Sequence, residues 1–140
     1  MDLYFAYGSN LDPAQMMRRC PDSVPLAPAI LPQHRLAFAG RSGNWEGGVA
    51  LVVPTDGIHV PGFLYEVSEA DLEELDRFEG TYQRGRAEVL LAGEATASWI
   101  YLRSPDIPRA LPSHTYLAVM AHAYGRRGYD LQTLLSALDF

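Results

Sequence analysis

Glu79 is an acidic residue at a position where the hydrophobic pattern of its segment predicts burial. The segment Glu69–Glu79 is predicted to be a helix, with Leu72, Leu75 and Phe78 on one face at helical spacing. Glu79 follows Leu75 by four residues, so it projects onto this apolar face. Burial and the negative end of the helix dipole would both raise the pKa of its carboxyl from about 4.3 towards neutrality. A carboxyl group with such a pKa suits general acid–base catalysis.

Two other interpretations of Glu79 remain open from the pattern alone. The carboxylate could be buried and paired with an arginine, and the sequence offers Arg77, Arg84 and Arg86. It could also lie at a frayed helix end, in contact with water. These alternatives would make Glu79 structural rather than catalytic.

The N-terminal segment Tyr4–Leu11 is the second candidate for chemistry. The apolar, aromatic run Leu3–Tyr7 is followed at once by Gly-Ser-Asn at 8–10, which predicts a buried strand that ends in a tight turn. Asp12 then suits a helix N-cap and Pro13 suits the first helical turn. Such a corner directs backbone N–H groups to one place and could bind an anion or a developing oxyanion. An ordinary turn at a strand end is the alternative.

These two segments must be positioned by a fold in which strands predominate. The predicted strands are Leu3–Tyr7, Arg35–Ala39, Val49–Val53, Val60–Glu66, Arg86–Leu91 and Thr96–Leu102. The predicted helices are Pro13–Arg19, Glu69–Glu79, His114–Tyr124 and Leu131–Leu138. Turns are predicted at Pro54–Gly57 and at Gly93–Glu94. Because no regular βαβ repeat occurs, we expect an α+β fold with a mixed sheet or a small barrel.

Length and composition are typical of one globular domain spanning residues 1–140. Hydrophobic residues make up 48% and charged residues 20% of the chain, which is ordinary for such domains. No apolar run approaches the roughly 20 residues that a membrane span needs, and no basic, apolar leader opens the sequence. We therefore expect a cytoplasmic protein without a membrane partner.

Several chemistries are disfavoured by what the sequence lacks. Cys20 is the single cysteine and is predicted to be a packed spectator. There is no lysine and no GxGxxG or GxSxG motif, which argues against Schiff-base, P-loop, dinucleotide and nucleophile-elbow chemistry. The four histidines show no close metal-ligand spacing. A net charge of −6 without a basic stripe argues against nucleic acid. We expect neither a cofactor nor a metal.

The sequence resembles the γ-glutamylcyclotransferase family in several motifs that occur in family order from residue 4 to about 125. Residues 4–11 match its YGSNL opening, and Leu75–Gly80 match the segment that carries its catalytic glutamate. Further resemblances are the W-x-G-G strand entry at 45–50, the strand at 61–65, Y-x-R at 82–84 and P-S-x-x-Y at 112–116.

The resemblance implies a small mixed-strand β-barrel flanked by helices and a cofactor-free reaction on γ-glutamyl amides. In that reaction the α-amine of the substrate attacks its own γ-carbonyl, and the products are 5-oxoproline and a free amine or amino acid. The resemblance assigns Glu79 as the catalytic proton shuttle. The implied substrate cradle is Tyr7, Gly8, Ser9, Asn10 and Leu11, largely through backbone groups.

Two tyrosines are further candidates for substrate binding. Tyr82 is expected to position the substrate or to hydrogen-bond Glu79, and Tyr116 is a weaker candidate of the same kind. Each could instead be a buried structural aromatic residue. The link from Gly80 to Tyr82 is shorter than in the glutamyl-peptide member of the family, which leaves the variable half of the substrate open.

Other functions are compatible with the same residues. The substrate could be a γ-glutamyl amino acid, a γ-glutamylamine or a γ-glutamyl-protected biosynthetic intermediate, and the net acidic charge slightly favours an amine-bearing leaving group. The fold could also bind a small molecule without turnover, or act through protein contacts. A monomer and a homodimer are both compatible with the sequence.

Overall fold

Five β-strands close into a barrel flanked by four α-helices in a computed structural model that describes all residues from 1 to 140. The strands are β1 (Asp2–Ala6), β2 (Val24–Ser42), β3 (Gly47–Val67), β4 (Gln83–Leu91) and β5 (Glu94–Leu102). The helices are α1 (Pro13–Arg19), α2 (Glu69–Phe78), α3 (His114–Arg127) and α4 (Gln132–Ala137). The α+β barrel expected from the sequence is confirmed.

The barrel contains both parallel and antiparallel pairs. Around it the strand order is β1-β3-β2-β4-β5. A parallel pairing of β1 with β5 at Tyr4 and Trp99 closes it, and the other strand pairs are antiparallel. The predicted hairpin between β4 and β5 is present, with Ala92 and Gly93 at positive φ. Two residues at positive φ match the twist of a tight hairpin.

The prediction that a turn at Pro54–Gly57 separates two strands is wrong. The strands predicted on its two sides are one strand, β3. Pairing of β3 with β2 continues at Pro54 and again at His59, and the residues between them bulge opposite Gln33. The side-chain oxygen of Gln33 accepts a hydrogen bond of 2.7 Å from the N–H of Gly57. The turn-forming residues therefore make a bulge inside a strand pair that resumes beyond it.

The sequence pattern also missed the first half of β2. This stretch carries Pro25, Pro28 and Pro32, which argue against a central strand. It nevertheless pairs with β3 along its length, whereas its other edge is in register with β4 only at Ile30. Proline has no N–H group. Where its nitrogen faces an edge without a paired strand, no hydrogen bond between strands is lost.

The ends of the first two helices follow local sequence signals. The side chain of Asp12 accepts a hydrogen bond of 3.1 Å from the N–H of Gln15 and caps α1. Ser68 and Asp71 form a capping box at the start of α2. α2 ends at Phe78, so Glu79 is its C-cap rather than its last helical residue.

The third helix is longer than predicted. α3 continues past Gly125 to Arg127 and ends at Gly128, which adopts the left-handed conformation with φ 72°. Gly128 is therefore the residue that stops the helix. This extra turn carries Arg127 to the site described below.

The barrel interior and the helix faces that cover it form one apolar core, which includes the fully buried Phe5, Leu64, Ile100 and Met120. Cys20 is buried in it, as expected for a spectator. Burial raises the pKa of its thiol to about 12, so the reactive thiolate is scarce near neutral pH. None of the helices combines the length and hydropathy needed to cross a membrane.

A proline-containing segment, residues 104–112 after β5, packs along the ends of β2 and β3. The N–H of Gly40 donates to Pro108 at 3.1 Å, and the N–H of Ala110 donates to Phe38 at 3.1 Å. Gly48 donates to Leu111 at 3.0 Å. These backbone hydrogen bonds hold the segment against the barrel.

Candidate active site

A cavity lies where β1 ends, and its lining contains one acidic and one basic side chain. Of the eight site residues predicted from the sequence, seven line it: Tyr7, Gly8, Ser9, Asn10, Glu79, Tyr82 and Tyr116. The basic residue is Arg19, and no other lining residue carries a formal charge. The two sequence segments selected for chemistry therefore meet at one cavity.

The turn after β1 is a short 3-10 helix, Ser9–Leu11. Its hydrogen bonds are donated by the N–H groups of Leu11 and Asp12, which reach the carbonyls of Gly8 and Ser9 at 3.0 Å. The N–H groups of Gly8, Ser9 and Asn10 precede the first donor of this helix, so they have no partner within it. Such N–H groups can bind an anion or an oxyanion beside the cavity.

Gly8 allows a close approach within this turn. A Cβ atom at Gly8 would lie 3.1 Å from the hydroxyl oxygen of Tyr116. The absence of a side chain therefore lets the turn pack closely against α3.

Glu79 is placed by the end of α2, with 17% of its side chain exposed. Leu72 and Leu75 on the same face are buried, as predicted, whereas Phe78 is 42% exposed. One oxygen of the Glu79 carboxylate accepts a hydrogen bond of 3.2 Å from the side-chain amide of Asn10. Burial raises the pKa of Glu79 to about 7, and the charge of Arg19 partly opposes that rise.

The arginine beside Glu79 is none of the three that the sequence offered as its partner. Arg19 Nη1 lies 3.6 Å from Glu79 Oε1. The predicted partners are engaged elsewhere: Arg77 pairs with Glu74, Arg84 with Asp76, and Arg86 lies over Trp99. Arg19 is distant in sequence from Glu79, and only the packing of α1 beside α2 brings them together. No local spacing signal could have indicated it.

Asn10 connects Arg19 and Glu79 through opposite ends of its side-chain amide. Its oxygen accepts from Arg19 Nη1 at 3.1 Å and from Gln15 Nε2 at 3.0 Å. Its NH₂ group donates to Glu79 at 3.2 Å and to the hydroxyl of Tyr4 at 2.9 Å. With all of these partners the amide orientation is determined, so Asn10 is a rigid donor to the carboxylate.

Tyr82 and Tyr116 are both anchored to the backbone of Ala50 in β3. The hydroxyl of Tyr82 donates to the carbonyl of Ala50 at 2.5 Å, so the predicted hydrogen bond from Tyr82 to Glu79 is wrong. The N–H of Ala50 donates to the hydroxyl oxygen of Tyr116 at 3.0 Å. This part of β3 pairs with β2 on one edge only, which leaves the backbone groups of Ala50 free for these side chains.

The hydroxyl oxygen of Tyr116 accepts from the N–H of Ala50 and from the backbone of Ser9, and its own proton has no acceptor within the protein. Trp45 packs on the Tyr116 ring edge to face, with centroids 4.9 Å apart. Gly48, two residues before Ala50, lies against the proline-containing segment, where a Cβ atom would clash with the Ala110 carbonyl. The W-x-G-G sequence therefore positions an aromatic wall of the cavity.

Leu11 does not line the cavity, so its prediction as a substrate contact is corrected. Its side chain is fully buried, because it belongs to the core beneath the turn. Its carbonyl oxygen accepts hydrogen bonds from Arg127 Nε at 3.2 Å and Nη2 at 3.0 Å. Tyr65 donates to the carbonyl of Asn10 at 3.2 Å and accepts from Arg127 at 3.2 Å.

The sequence motifs predicted a small mixed-strand barrel with the turn after its first strand near a buried glutamate, and the structure has this arrangement in a barrel of five strands. The family model described as gamma-glutamyl cyclotransferase, AIG2-like, matches residues 4–118. The chain belongs to this family, and the resemblance seen in its motifs is confirmed.

Known proteins resemble the chain in sequence and in structure. The gamma-glutamylcyclotransferase of Bos taurus is 35% identical over 82 residues, which are 56% of this chain and 44% of the bovine protein. That of Homo sapiens is 34% identical over the same number of residues. The matched region thus spans less than half the length of these relatives. A solved structure described as a gamma-glutamyl cyclotransferase matches 99% of this chain and 87% of its own, with TM-score 0.88 and 26% identity.

Proposed function

We propose that the protein is a cofactor-free γ-glutamyl cyclotransferase that converts a γ-glutamyl amide into 5-oxoproline and a free amine or amino acid. The single observation that carries this proposal is the carboxyl group of Glu79. It has a pKa of about 7, and it lies beside the turn that offers the backbone N–H groups. Family membership supports the reaction class, and the cavity residues supply the groups that the chemistry needs.

The first step requires a base near the α-amine of the substrate. The neutral amine attacks the γ-carbonyl carbon, and a new C–N bond closes the five-membered ring. The nitrogen loses a proton to Glu79, whose carboxylate form accepts it. Because the attack is intramolecular, holding the glutamyl chain in a bent conformation lowers the barrier by removing rotational freedom before the reaction.

The second step requires an acid near the leaving nitrogen. The original γ-amide C–N bond breaks, and the proton held by Glu79 is transferred to the departing nitrogen. The products are 5-oxoproline and the free amine, and Glu79 returns to its ionised form. A pKa of about 7 suits both directions of transfer, because neither form of the carboxyl group is strongly favoured near neutral pH.

The tetrahedral intermediate places negative charge on the γ-carbonyl oxygen. We assign its stabilisation to the N–H groups of Gly8 and Asn10 in the turn, because the N–H of Ser9 already faces the hydroxyl of Tyr116. Tyr116 has a free hydroxyl proton and is assigned to substrate binding. Tyr82 contributes through its ring, because its hydroxyl is committed to Ala50.

The test is 5-oxoproline release from γ-glutamyl-alanine by the wild type and by a matched pair of variants. Glu79→Gln removes the proton shuttle and should lower kcat by about 100-fold or more. Glu73→Gln makes the same chemical change at an exposed position of α2 and should retain wild-type activity. Circular dichroism and thermal unfolding establish that both variants are folded. Full activity of Glu79→Gln would refute the mechanism.

A binding protein without turnover is the alternative from another functional class. Calorimetry with γ-glutamyl-alanine distinguishes the two, because the alternative expects binding without 5-oxoproline. A substrate panel that includes larger γ-glutamyl amides tests whether the enzyme serves a γ-glutamyl-protected intermediate. A cytoplasmic location, the absence of nucleic-acid and membrane partners and the monomer or homodimer state remain predictions from the sequence.

A further inference from the structure

Gln15 is a buried polar residue of α1 that the proposed reaction does not use. It is 5% exposed and does not line the active-site cavity. Its side-chain nitrogen Nε2 lies 2.6 Å from the hydroxyl oxygen of Ser9 and 3.0 Å from the side-chain oxygen of Asn10. Both of these residues belong to the turn that borders the cavity. Gln15 therefore joins two residues of the candidate substrate cradle without reaching the cavity itself.

The direction of these hydrogen bonds follows from Arg19. An arginine side chain can only donate, so the atom of Asn10 that lies 3.1 Å from Arg19 Nη1 is its acceptor oxygen. The atom of Gln15 that faces the same oxygen must then be the donor nitrogen Nε2, because two acceptor oxygens would repel each other. This nitrogen carries two hydrogens, one for Asn10 and one for Ser9. The hydroxyl oxygen of Ser9 is therefore an acceptor.

The hydroxyl proton of Ser9 is left without an acceptor within the protein, because the hydrogen bond that this hydroxyl makes is the one it accepts from Gln15. The backbone N–H of Ser9 faces the hydroxyl of Tyr116, so it is not free for a substrate. What Ser9 can offer to the cavity is its hydroxyl proton. Ser9 is 6% exposed and lines the cavity, so the acceptor has to come from a molecule within the cavity.

We infer that Gln15 is a positioning residue, which holds the hydroxyl oxygen of Ser9 so that its proton is offered to an oxygen of the glutamyl half of the substrate. This inference rests on the proposed function, in which the turn after β1 is the cradle for that half. A hydroxyl group that is already oriented loses less rotational freedom on binding than a free one. Without Gln15 the hydroxyl of Ser9 could turn and donate to a nearby backbone carbonyl instead.

The two contacts of Gln15 differ in how far they depend on it. Asn10 keeps a donor to its side-chain oxygen without Gln15, because Arg19 also donates to that oxygen. The hydrogen bond from Asn10 to Glu79 is then retained. The hydroxyl oxygen of Ser9 has no second donor. Loss of Gln15 should therefore act on the reaction through Ser9 rather than through the ionisation of Glu79.

The test is a double-mutant cycle on kcat/KM for γ-glutamyl-alanine. Ser9→Ala removes the hydroxyl and should lower kcat/KM by about tenfold, the usual size of one hydrogen bond. Gln15→Met keeps the length of the side chain but removes the donor, and it should lower kcat/KM by about threefold or more. The double variant should match Ser9→Ala, because Gln15 acts through the hydroxyl that is already missing. The midpoint of the rise of kcat/KM with pH, which Glu79 sets, should stay in place in all three variants.

Gln15→Glu is the second variant at this position. Its carboxylate accepts instead of donating, so the hydroxyl proton of Ser9 should turn towards it and away from the cavity. The value of kcat/KM should then fall at least as far as in Ser9→Ala. The matched control is Gln132→Met, because Gln132 donates to the hydroxyl of Ser136 at 3.2 Å from an exposed position of α4. This control should keep the wild-type kcat/KM. Circular dichroism and thermal unfolding establish that each variant is folded.

The outcomes separate this inference from the proposed function. A wild-type kcat/KM in folded Gln15→Met or Gln15→Glu overturns the inference while the cyclotransferase activity stands. Losses that multiply in the double variant also overturn it, because Gln15 and Ser9 would then act independently.

If the wild type turns over no γ-glutamyl-alanine, the proposed function fails, and calorimetry with the same compound then decides on Gln15. Weaker binding by Gln15→Met and by Ser9→Ala, with no further loss in the double variant, supports the inference. Equal binding by the wild type and Gln15→Met, or no binding at all, overturns it.

Discussion

The side-chain amide of Asn10 donates a hydrogen bond of 3.2 Å to Glu79 Oε1, across 69 positions of sequence. It joins the turn after β1 to the end of α2. A hydrogen bond to a carboxylate favours its ionised form, whereas burial favours the protonated form. Arg19 limits the rise in pKa that burial causes at Glu79, and the hydrogen bond from Asn10 is expected to favour the same ionised form.

Replacing Asn10 should show how far its hydrogen bond opposes the effect of burial on the pKa of Glu79. Asn10→Ala removes the hydrogen bond to Glu79, so the pKa of Glu79 should rise and the acidic limb of kcat/KM should move to higher pH. The loss of substrate positioning should also lower kcat/KM by about tenfold or more. The measurement is kcat/KM for γ-glutamyl-alanine from pH 5 to pH 9. An unchanged limb would show that this hydrogen bond does not govern the ionisation of Glu79.

The wild-type pH profile should report the ionisation of Glu79 itself. Since the reaction begins with the carboxylate form, kcat/KM should rise with pH through about pH 7 and level off above it. Arg19→Gln removes the positive charge that lowers the pKa of Glu79, so the limb should move to higher pH. Arg18→Gln, at an exposed position of α1, is the matched control and should leave the limb in place. A limb near pH 4.5 in the wild type would contradict the assignment.

Stability should depend on pH through the same group. The pKa of Glu79 in the folded protein, about 7, lies above its ordinary value of 4.5. Its ionisation therefore destabilises the fold progressively as pH rises from about 4.5 through 7. Glu79→Gln should accordingly gain stability relative to the wild type over this range. Each pKa unit corresponds to about 1.4 kcal/mol, so the gain at pH 8 should not exceed about 3.5 kcal/mol.

Urea unfolding at pH 5 and pH 8 measures this effect. Glu73→Gln, the exposed control on α2, should show no comparable change between the two pH values. If the difference between Glu79→Gln and the wild type is the same at both pH values, Glu79 is not the group with the raised pKa.

Arg127 should position the turn without touching the substrate. It hydrogen-bonds the carbonyl of Leu11 and the hydroxyl of Tyr65, which in turn holds Asn10. Arg127→Gln should loosen the turn and raise KM more than it lowers kcat, because Glu79 is unchanged. The acidic limb of the pH profile should stay in place, and Arg127→Lys should restore part of the affinity.

The control for Arg127 is Arg126→Gln at the neighbouring exposed position. It should keep the wild-type KM. A fall in kcat of folded Arg127→Gln with KM unchanged would contradict a positioning role and indicate that this arginine acts on the reaction itself.

Local sequence rules predicted the helix starts and the positions of the two segments that meet at the site. The Ser68–Asp71 capping box and the Asp12 cap depend on atoms a few residues apart. The burial of Glu79 was expected from its spacing to Leu75, and it holds for Glu79 as the C-cap of α2. These features depend on short-range geometry, which residue types and spacing specify.

The strand lengths were not predictable in the same way. Pro25, Pro28 and Pro32 argue against a strand, and Pro54–Gly57 indicates a turn, yet β2 and β3 pair through both regions. Whether a proline is tolerated depends on which edge has a partner strand, and that is decided when the barrel closes.

By itself, the sequence determined the family, the turn at residues 8–10 and an acidic residue on a buried helix face, because these depend on chemistry within a few positions. The tertiary structure alone decided that Arg19 would be the cation beside Glu79, that Tyr82 and Tyr116 would share Ala50, and that Leu11 would lie in the core. Each of these relationships joins side chains from elements distant in sequence, and only their packing around the closed barrel sets the distances between them.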